Sequence, residues 1–305
     1  PTGILRRANI ADVVMLSTKP GPVNLYPALA VEADTTIEAF DARHPEGPDY
    51  VIVPAMSRDD DPAVMVWLRK QARDGAVIIA ICAGAKVASA AGLLKGRRAT
   101  THWYYLKDLL KSGPLIHYIA DRRIVVDRGI ATTTGVTASM PMMLTLIEAI
   151  AGRDKAEAVA KDLGLGRFDN RHDSSAFRLS RSFAMTALGN RLAVWSHDSF
   201  GIALAPGMDE VSLALVADAW SRTYRSRVEL LATSTSAATS RNGVRLIPDR
   251  VPAAWSDERL LHGEASRRPA DALNSALQDI RIRYGQATAH IVAMQLEYPQ
   301  RVDRP

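Results

Sequence analysis

The apolar runs of this 305-residue chain are short and well separated. Ala76-Val77-Ile78-Ile79-Ala80 leads straight into Ile-Cys-Ala-Gly-Ala at 81–85, and a small-residue helical pattern runs from Lys86 to Leu94. A β-branched run of this length predicts a strand buried on both faces. The layout is therefore a strand over 76–81, a tight turn, and a helix over 83–94. Runs at 12–17 and 49–54 predict two more buried strands, with a shorter extended piece at 29–31. Val64, Trp67 and Leu68 share one face of a helix predicted over 61–73, and Asp74-Gly75 ends it. Thr100 to Trp103 opens another helix, whose apolar positions are Tyr104, Leu106, Leu109 and Leu110. Residues 116–119 and 124–127 read as paired short strands, 130–134 as a strand, and 138–152 as a long helix after Gly135. Strands alternating with helices predict an α/β fold with a doubly wound, mostly parallel sheet.

The pattern weakens over 164–190, which reads as a polar connector. A second unit follows, with a strand at 200–205, a Pro206-Gly207 turn, a helix at 209–220 and a strand at 228–232. Leu273, Leu277, Ile280, Tyr284, Ala287 and Ile291 then share one face and predict a single long helix over 270–296. The chain thus divides into a first domain (1–163), a connector (164–190) and a second, partial α/β unit ending in a helix (191–305). An internal repeat underlies this division. Residues 10–17 and 28–34 have the same order of strand, turn, short strand and acidic turn as residues 226–233 and 243–249. The second copy never reaches a cysteine turn, and the first lacks its opening strand.

Composition narrows the function classes. Apolar content of 47% and charged content of 23% are those of a globular protein. One cysteine excludes a disulfide within the chain. No apolar run approaches the roughly 18 residues of a spanning helix, and no membrane contact is expected within these residues. The net charge of +5 is spread over pairs such as Arg6-Arg7 and Arg267-Arg268, without a basic stripe. No nucleic-acid partner is expected. The sequence carries no metal motif and no phosphate loop, so neither metal nor cofactor is expected. The expected partners are a small-molecule substrate or ligand and a second copy in a homodimer. A cytoplasmic location is favoured, with a leader or anchor upstream of Pro1 left open.

Candidate chemistry centres on Cys82. A thiol at a strand-to-helix turn lies at the positive end of the helix dipole, which favours thiolate. Such a turn also presents its side chain at the carboxyl edge of the sheet, where open α/β folds bind ligands. His102 opens a later helix and is the candidate partner of a Cys–His pair, able to stabilise a thiolate and move protons. The backbone N–H groups of Ala83 and Gly84 are candidate oxyanion donors.

Four stretches in order carry a resemblance: Ile81-Cys82-Ala83-Gly84-Ala85, Ala91 to Arg97, Ala99-Thr100-Thr101-His102-Trp103, and Thr133-Thr134-Gly135-Val136-Thr137. Together they resemble the DJ-1/PfpI superfamily, within the class I glutamine amidotransferase-like fold. The resemblance covers residues 8–155. It implies a flavodoxin-like sheet with a nucleophile elbow at Cys82, His102 close to it, and Thr101, Thr133, Thr134 and Gly135 by the pocket. The Ala-Thr-Thr-His-Trp version looks most like the branch holding isonitrile hydratases and the amidotransferase-like domains of AraC-type regulators. The family's first-strand acid, which lies against the sulfur, is either absent from the first copy or upstream of Pro1. Asp209 and Glu210 fall where that acid would lie in the second, so the second copy's strand is one candidate to complete the first copy's site. Two functions follow from the resemblance: a cysteine-dependent hydrolase or isonitrile hydratase-like lyase working through the Cys82 thiolate, or a non-catalytic ligand- or redox-sensing or assembly module.

Overall fold

The computed structural model describes residues 1–305 except 167, 252–254, 262–266 and 300–305. The chain opens with α1 (Thr2–Ala8), then β1 (Leu16–Ser17), the hairpin β2 (Pro22–Asn24) and β3 (Ala30–Glu32), β4 (Thr35–Thr36) and α2 (Ile37–Arg43). β5 (Tyr50–Val53), α3 (Pro62–Arg73), β6 (Val77–Ala80) and α4 (Gly84–Ala90) follow. β7 (Arg98–Ala99), α5 (Leu106–Ser112), β8 (His117–Tyr118), β9 (Ile124–Asp127), β10 (Ile130–Thr133), α6 (Ser139–Ala151) and α7 (Arg153–Asp162) complete the first half. The second half holds α8 (Arg181–Leu192), β11 (Asp198–Ala203), α9 (Glu210–Ser221), β12 (Ser226–Leu231), β13 (Ala238–Thr239), β14 (Arg245–Ile247), α10 (Pro269–Tyr284) and α11 (Gln286–Leu296).

The central sheet has the order β5-β6-β10-β9, with β5, β6 and β10 parallel and β9 antiparallel at the edge. The apolar run at 76–81 becomes β6, and Ile78, Ile79 and Ala80 are buried as a two-faced strand requires. α3 forms where predicted: the Asp61 side chain accepts from the Ala63 N–H, Pro62 sits in the first turn, and Val64, Trp67 and Leu68 are buried. α4 lies so close to β5 that a Cβ at Gly84 would come within 2.2 Å of the Val53 carbonyl oxygen. Only glycine permits this approach, which sets the elbow against the carboxyl end of the sheet.

Several elements differ from expectation. Of residues 12–17 only Leu16–Ser17 is strand, paired with Thr35–Thr36 alone. Residues 117–118 and 124–127 do not pair with each other. β8 runs parallel to β7, while β9 pairs with β10. The stretch read as connector contains most of α8. The single helix expected over 270–296 is two helices, α10 and α11, divided at Gly285.

The two halves share one apolar core, which joins Ile79, Met143 and Ile147 to Leu213, Trp220, Ile280 and Val292. They also share a four-stranded antiparallel sheet, β13-β14-β3-β2. At its centre buried Val31 faces buried Leu246, 215 positions later (246 − 31). The same interval separates Asn9 and Tyr224 (224 − 9), both at positive φ at the ends of α1 and α9. Gly152 joins α6 to α7 at φ 86° and ψ 168°, and Gly285 joins α10 to α11 at φ 85° and ψ 167°.

That backbone region is essentially closed to side chains. No atom lies within 4 Å of a Cβ added at either glycine. Gly152→Ala and Gly285→Ala therefore isolate backbone strain from packing. Each is expected to lower unfolding free energy by about 1–3 kcal/mol in urea titrations, with unchanged far-ultraviolet circular dichroism.

Candidate functional site

The site lies where the carboxyl ends of β6 and β10 adjoin. Cys82 is half-buried and holds φ 56°, left-handed backbone that a non-glycine residue adopts only under constraint. Three threonines supply the constraint. The Cys82 N–H donates to Thr133 Oγ1 at 3.0 Å, and Thr133 Oγ1 donates to the Thr134 carbonyl at 3.2 Å. Thr101 Oγ1 donates to the Cys82 carbonyl at 3.1 Å. Thr101 and Thr133 thus hold the elbow backbone through their hydroxyls, and Thr134 through its carbonyl.

The surroundings of the Cys82 thiol oppose the expected thiolate. Burial is the largest influence on the Cys82 thiol and pushes it up to about 12. The Glu297 carboxylate pushes in the same direction, while a hydrogen bond from the Ala83 N–H and the Arg222 guanidinium pull down. Asp218 adds a smaller upward push. The Ala83 N–H therefore attends the sulfur. The Gly84 N–H, the other expected oxyanion donor, bonds to the Ile81 carbonyl at 2.8 Å.

His102 is buried, and both ring nitrogens are committed to backbone. Nδ1 accepts from the Tyr104 N–H at 3.2 Å, which places the proton on Nε2, and Nε2 donates to the Gln295 carbonyl at 2.9 Å. Burial pulls its pKa down to about 4, so the ring is neutral. No hydrogen bond joins it to the sulfur; Cys82 and His102 are tied to different partners.

The sequence reading missed Glu297. It follows α11 in left-handed backbone and its side chain is buried. Oε1 accepts from the Trp103 N–H and Oε2 from the Gly135 N–H, each at 2.7 Å. Thr137 Oγ1 donates to its carbonyl at 2.6 Å. Gly135, expected beside the pocket, is thus a carboxylate donor, and a Cβ there would lie 2.6 Å from Cβ of Glu297. His172 Nε2 stands 3.5 Å from Oε2 and stacks on Phe177. Burial pushes both Glu297 and His172 toward their neutral forms. A cavity of about 60 Å³ beside them is lined by Thr101, Trp103, Thr134, His172 and Phe177. It has room for a few water-sized groups.

Asp218 and Arg222 lie one turn apart on α9, with Arg222 Nε donating to Asp218 Oδ1 at 2.7 Å. The guanidinium lies 5.6 Å from the Tyr26 ring centre. Asp209 and Glu210, at the other end of α9, are engaged elsewhere: Asp209 caps the helix and pairs with Arg7, and Glu210 accepts from Asn242. The second half therefore reaches the Cys82 site through the last turn of α9 and the end of α11. The strand before Asp209 contributes a different feature, a cavity of about 470 Å³ lined by Ile202, Met208, Asp209 and Arg241, which neither Cys82 nor His102 borders.

The DJ-1/PfpI family model matches residues 1–149, the segment that holds β6, the Cys82 elbow and the threonines. The Parkinson disease protein 7 homolog of Danio rerio is 31% identical over 169 residues, covering 53% of this chain and 87% of that protein. The chain belongs to the DJ-1/PfpI family. HTH-type transcriptional regulator CdhR of Pseudomonas aeruginosa is 30% identical over 174 residues, 56% of this chain and 50% of the regulator. Isonitrile hydratase of Pseudomonas putida is 38% identical over 105 residues, 34% of this chain and 44% of the enzyme. The chain thus spans about half the length of these two relatives. Among solved structures, Drosophila melanogaster DJ-1beta aligns at a TM-score of 0.48 and 25% identity, covering 54% of this chain and 88% of that one. Asp218, Arg222 and Glu297 all lie beyond the DJ-1/PfpI match.

The neutral His102 makes stability depend on pH. Its folded value of about 4 lies below the ordinary 6.5, so between these values the unfolded chain binds the extra proton. Stability is complete above pH 6.5 and falls as pH drops toward 4, by about 3 kcal/mol from this residue. His102→Gln keeps a donor for the Gln295 carbonyl and removes the titration. Urea titrations across this range are expected to show a shallower decline in the variant than in the wild type.

Proposed function

We propose that this DJ-1/PfpI protein is a small-ligand-sensing module in which Cys82 works as a protonated thiol. The observation that carries the reading is the commitment of both His102 ring nitrogens to backbone, which removes His102 as a base for the sulfur. A thiol pushed up to about 12 is then almost wholly protonated at neutral pH. The relatives include HTH-type regulators, among them CdhR and GbdR of Pseudomonas aeruginosa and GlxA of Rhizobium meliloti, which agrees with a sensing role for the shared region. A small neutral polar ligand is the class that suits the cavity of about 60 Å³, whose wall includes Thr101, Thr134 and His172.

A second reading keeps the cysteine-dependent hydrolase or hydratase. The left-handed φ of Cys82 favours it, as does the match to isonitrile hydratase. In that case Glu297, not His102, is the proton acceptor for the sulfur.

The C-terminal half is read here as a partial second copy of the first. The shared 215-residue interval at Val31/Leu246 and Asn9/Tyr224, and the matching glycine breaks, support this reading.

Iodoacetamide alkylation of Cys82 against pH separates the two functions. The sensing reading expects a rate that climbs about tenfold per pH unit through about pH 10 without levelling. A plateau below about pH 8 overturns it in favour of thiolate chemistry. Glu297→Gln removes a negative charge that holds the thiol up. It is expected to move the whole profile to lower pH, which links the residue to the sulfur in either reading.

A further inference from the structure

Helix α8 is apolar on two sides. Its inner side carries Phe183 and Asn190. Phe183 clusters with Phe177, Ile291 and Met294, and Asn190 Nδ2 donates to the Thr223 carbonyl and to Thr288 Oγ1. Ser180 caps the helix by accepting from the Phe183 N–H. The inner side is thus fixed against α11 and the end of α9. The outer side should by the usual rule be polar. Instead it presents Met185, Leu188 and Leu192 at helical spacing, and the chain beyond adds Trp195. Met185 is 67% exposed, Leu192 64% and Trp195 95%. Single exposed apolar residues are ordinary, but a continuous stripe ending in a bare tryptophan marks a surface that meets something.

The charge around the stripe indicates what it meets. From Ser174 to His197 the sequence contains no Asp or Glu. Arg178, Arg181 and Arg191 are exposed on the same segment, and none makes an ion pair among the described residues. A self-contact through this face would set three arginines against three arginines with no acid to answer them, which opposes a twofold pairing. Leucine, methionine and tryptophan on one face with flanking arginines suit an anionic lipid surface. The apolar side chains enter the acyl boundary, the tryptophan sits at the interface, and the arginines reach the headgroups. Among the described residues no helix is long and apolar enough to cross a membrane, so the contact is peripheral.

The geometry points to α8 and the Leu192–Trp195 extension as a peripheral docking face for an anionic phospholipid bilayer.

The test is co-sedimentation of the whole chain with vesicles of phosphatidylcholine and phosphatidylglycerol, compared with pure phosphatidylcholine. Binding is expected to the anionic vesicles, to weaken with added salt, and to be slight on the neutral ones. The double variant Leu192→Ser, Trp195→Ser is expected to lower the bound-to-free ratio at least about tenfold, from lost apolar burial. Arg181→Glu with Arg191→Glu should weaken binding as well. Both pairs are exposed, and unchanged circular dichroism and Cys82 alkylation would show that the variants stay folded. Failure of the wild type to sediment with anionic vesicles overturns the proposal, as does undiminished binding of the Leu192/Trp195 variant. Light scattering that finds a wild-type dimer broken by that variant also overturns it, by assigning the face to a second copy.

Discussion

The Glu297 carboxylate, held between the N–H groups of Trp103 and Gly135, is the contact on which the site depends. Those two N–H groups open the turns after β7 and after β10, so one side chain spans both walls of the site. Burying a carboxylate is costly. Here the cost is offset by two charge-assisted bonds, and Thr137 satisfies the Glu297 carbonyl. Loss of the side chain would leave two buried donors unpaired, at about 1–3 kcal/mol each. The same end of α11 supplies the Gln295 carbonyl to His102 and the Met294 carbonyl to the Trp103 indole N–H. Trp103 and His102 are therefore positioned by residues nearly two hundred positions away.

This explains why the local chemistry at Cys82 departs from its local sequence. A helix dipole contributes about 0.3–1 kcal/mol, less than one pKa unit. Burial acts in the opposite direction and outweighs it, with the Cys82 thiol pushed up to about 12. The helix after Cys82 is only seven residues long, so the dipole is weak as well as outweighed. Arg222 acts in the thiolate's favour, but Asp218 one turn away spends part of its charge. The strand, left-handed turn and helix at Cys82 form locally, while Glu297, Arg222 and Asp218 of the other half act on its sulfur.

What was legible in the sequence follows the range of the interactions involved. β6, the turn at Cys82 and α3 rest on local pattern, and all three form where expected. The run at 12–17 is as apolar as a strand, yet most of it is not one. A strand needs a neighbour, and Leu16–Ser17 finds only Thr35–Thr36. The heptad-like face at 270–296 continues through Gly285, so periodicity alone gives no break; the break lies in a backbone conformation that glycine merely permits. Asp218 and Arg222 are readable as an i, i+4 ion pair. Nothing in their spacing tells that the pair faces Cys82. Glu297 is a single acid between Leu296 and Tyr298, and its role exists only once α11 is docked.

The proposed repeat gives this arrangement a reason. Arg7 and Arg222 stand 215 positions apart (222 − 7), at matching points near the ends of α1 and α9. Arg7, from the first half, pairs with Asp209 of the second; Arg222, from the second, acts on Cys82 of the first. Around the central Val31–Leu246 pair, each half thus sends the equivalent arginine toward the other. Such reciprocity is what a self-complementary interface produces when its two sides are joined in one chain. On this view the second half lacks a cysteine turn without being redundant. Its α9 and α11 supply Arg222, Asp218 and the lead-in to Glu297 beside the Cys82 elbow, so a constraint on that site is a constraint on those helices.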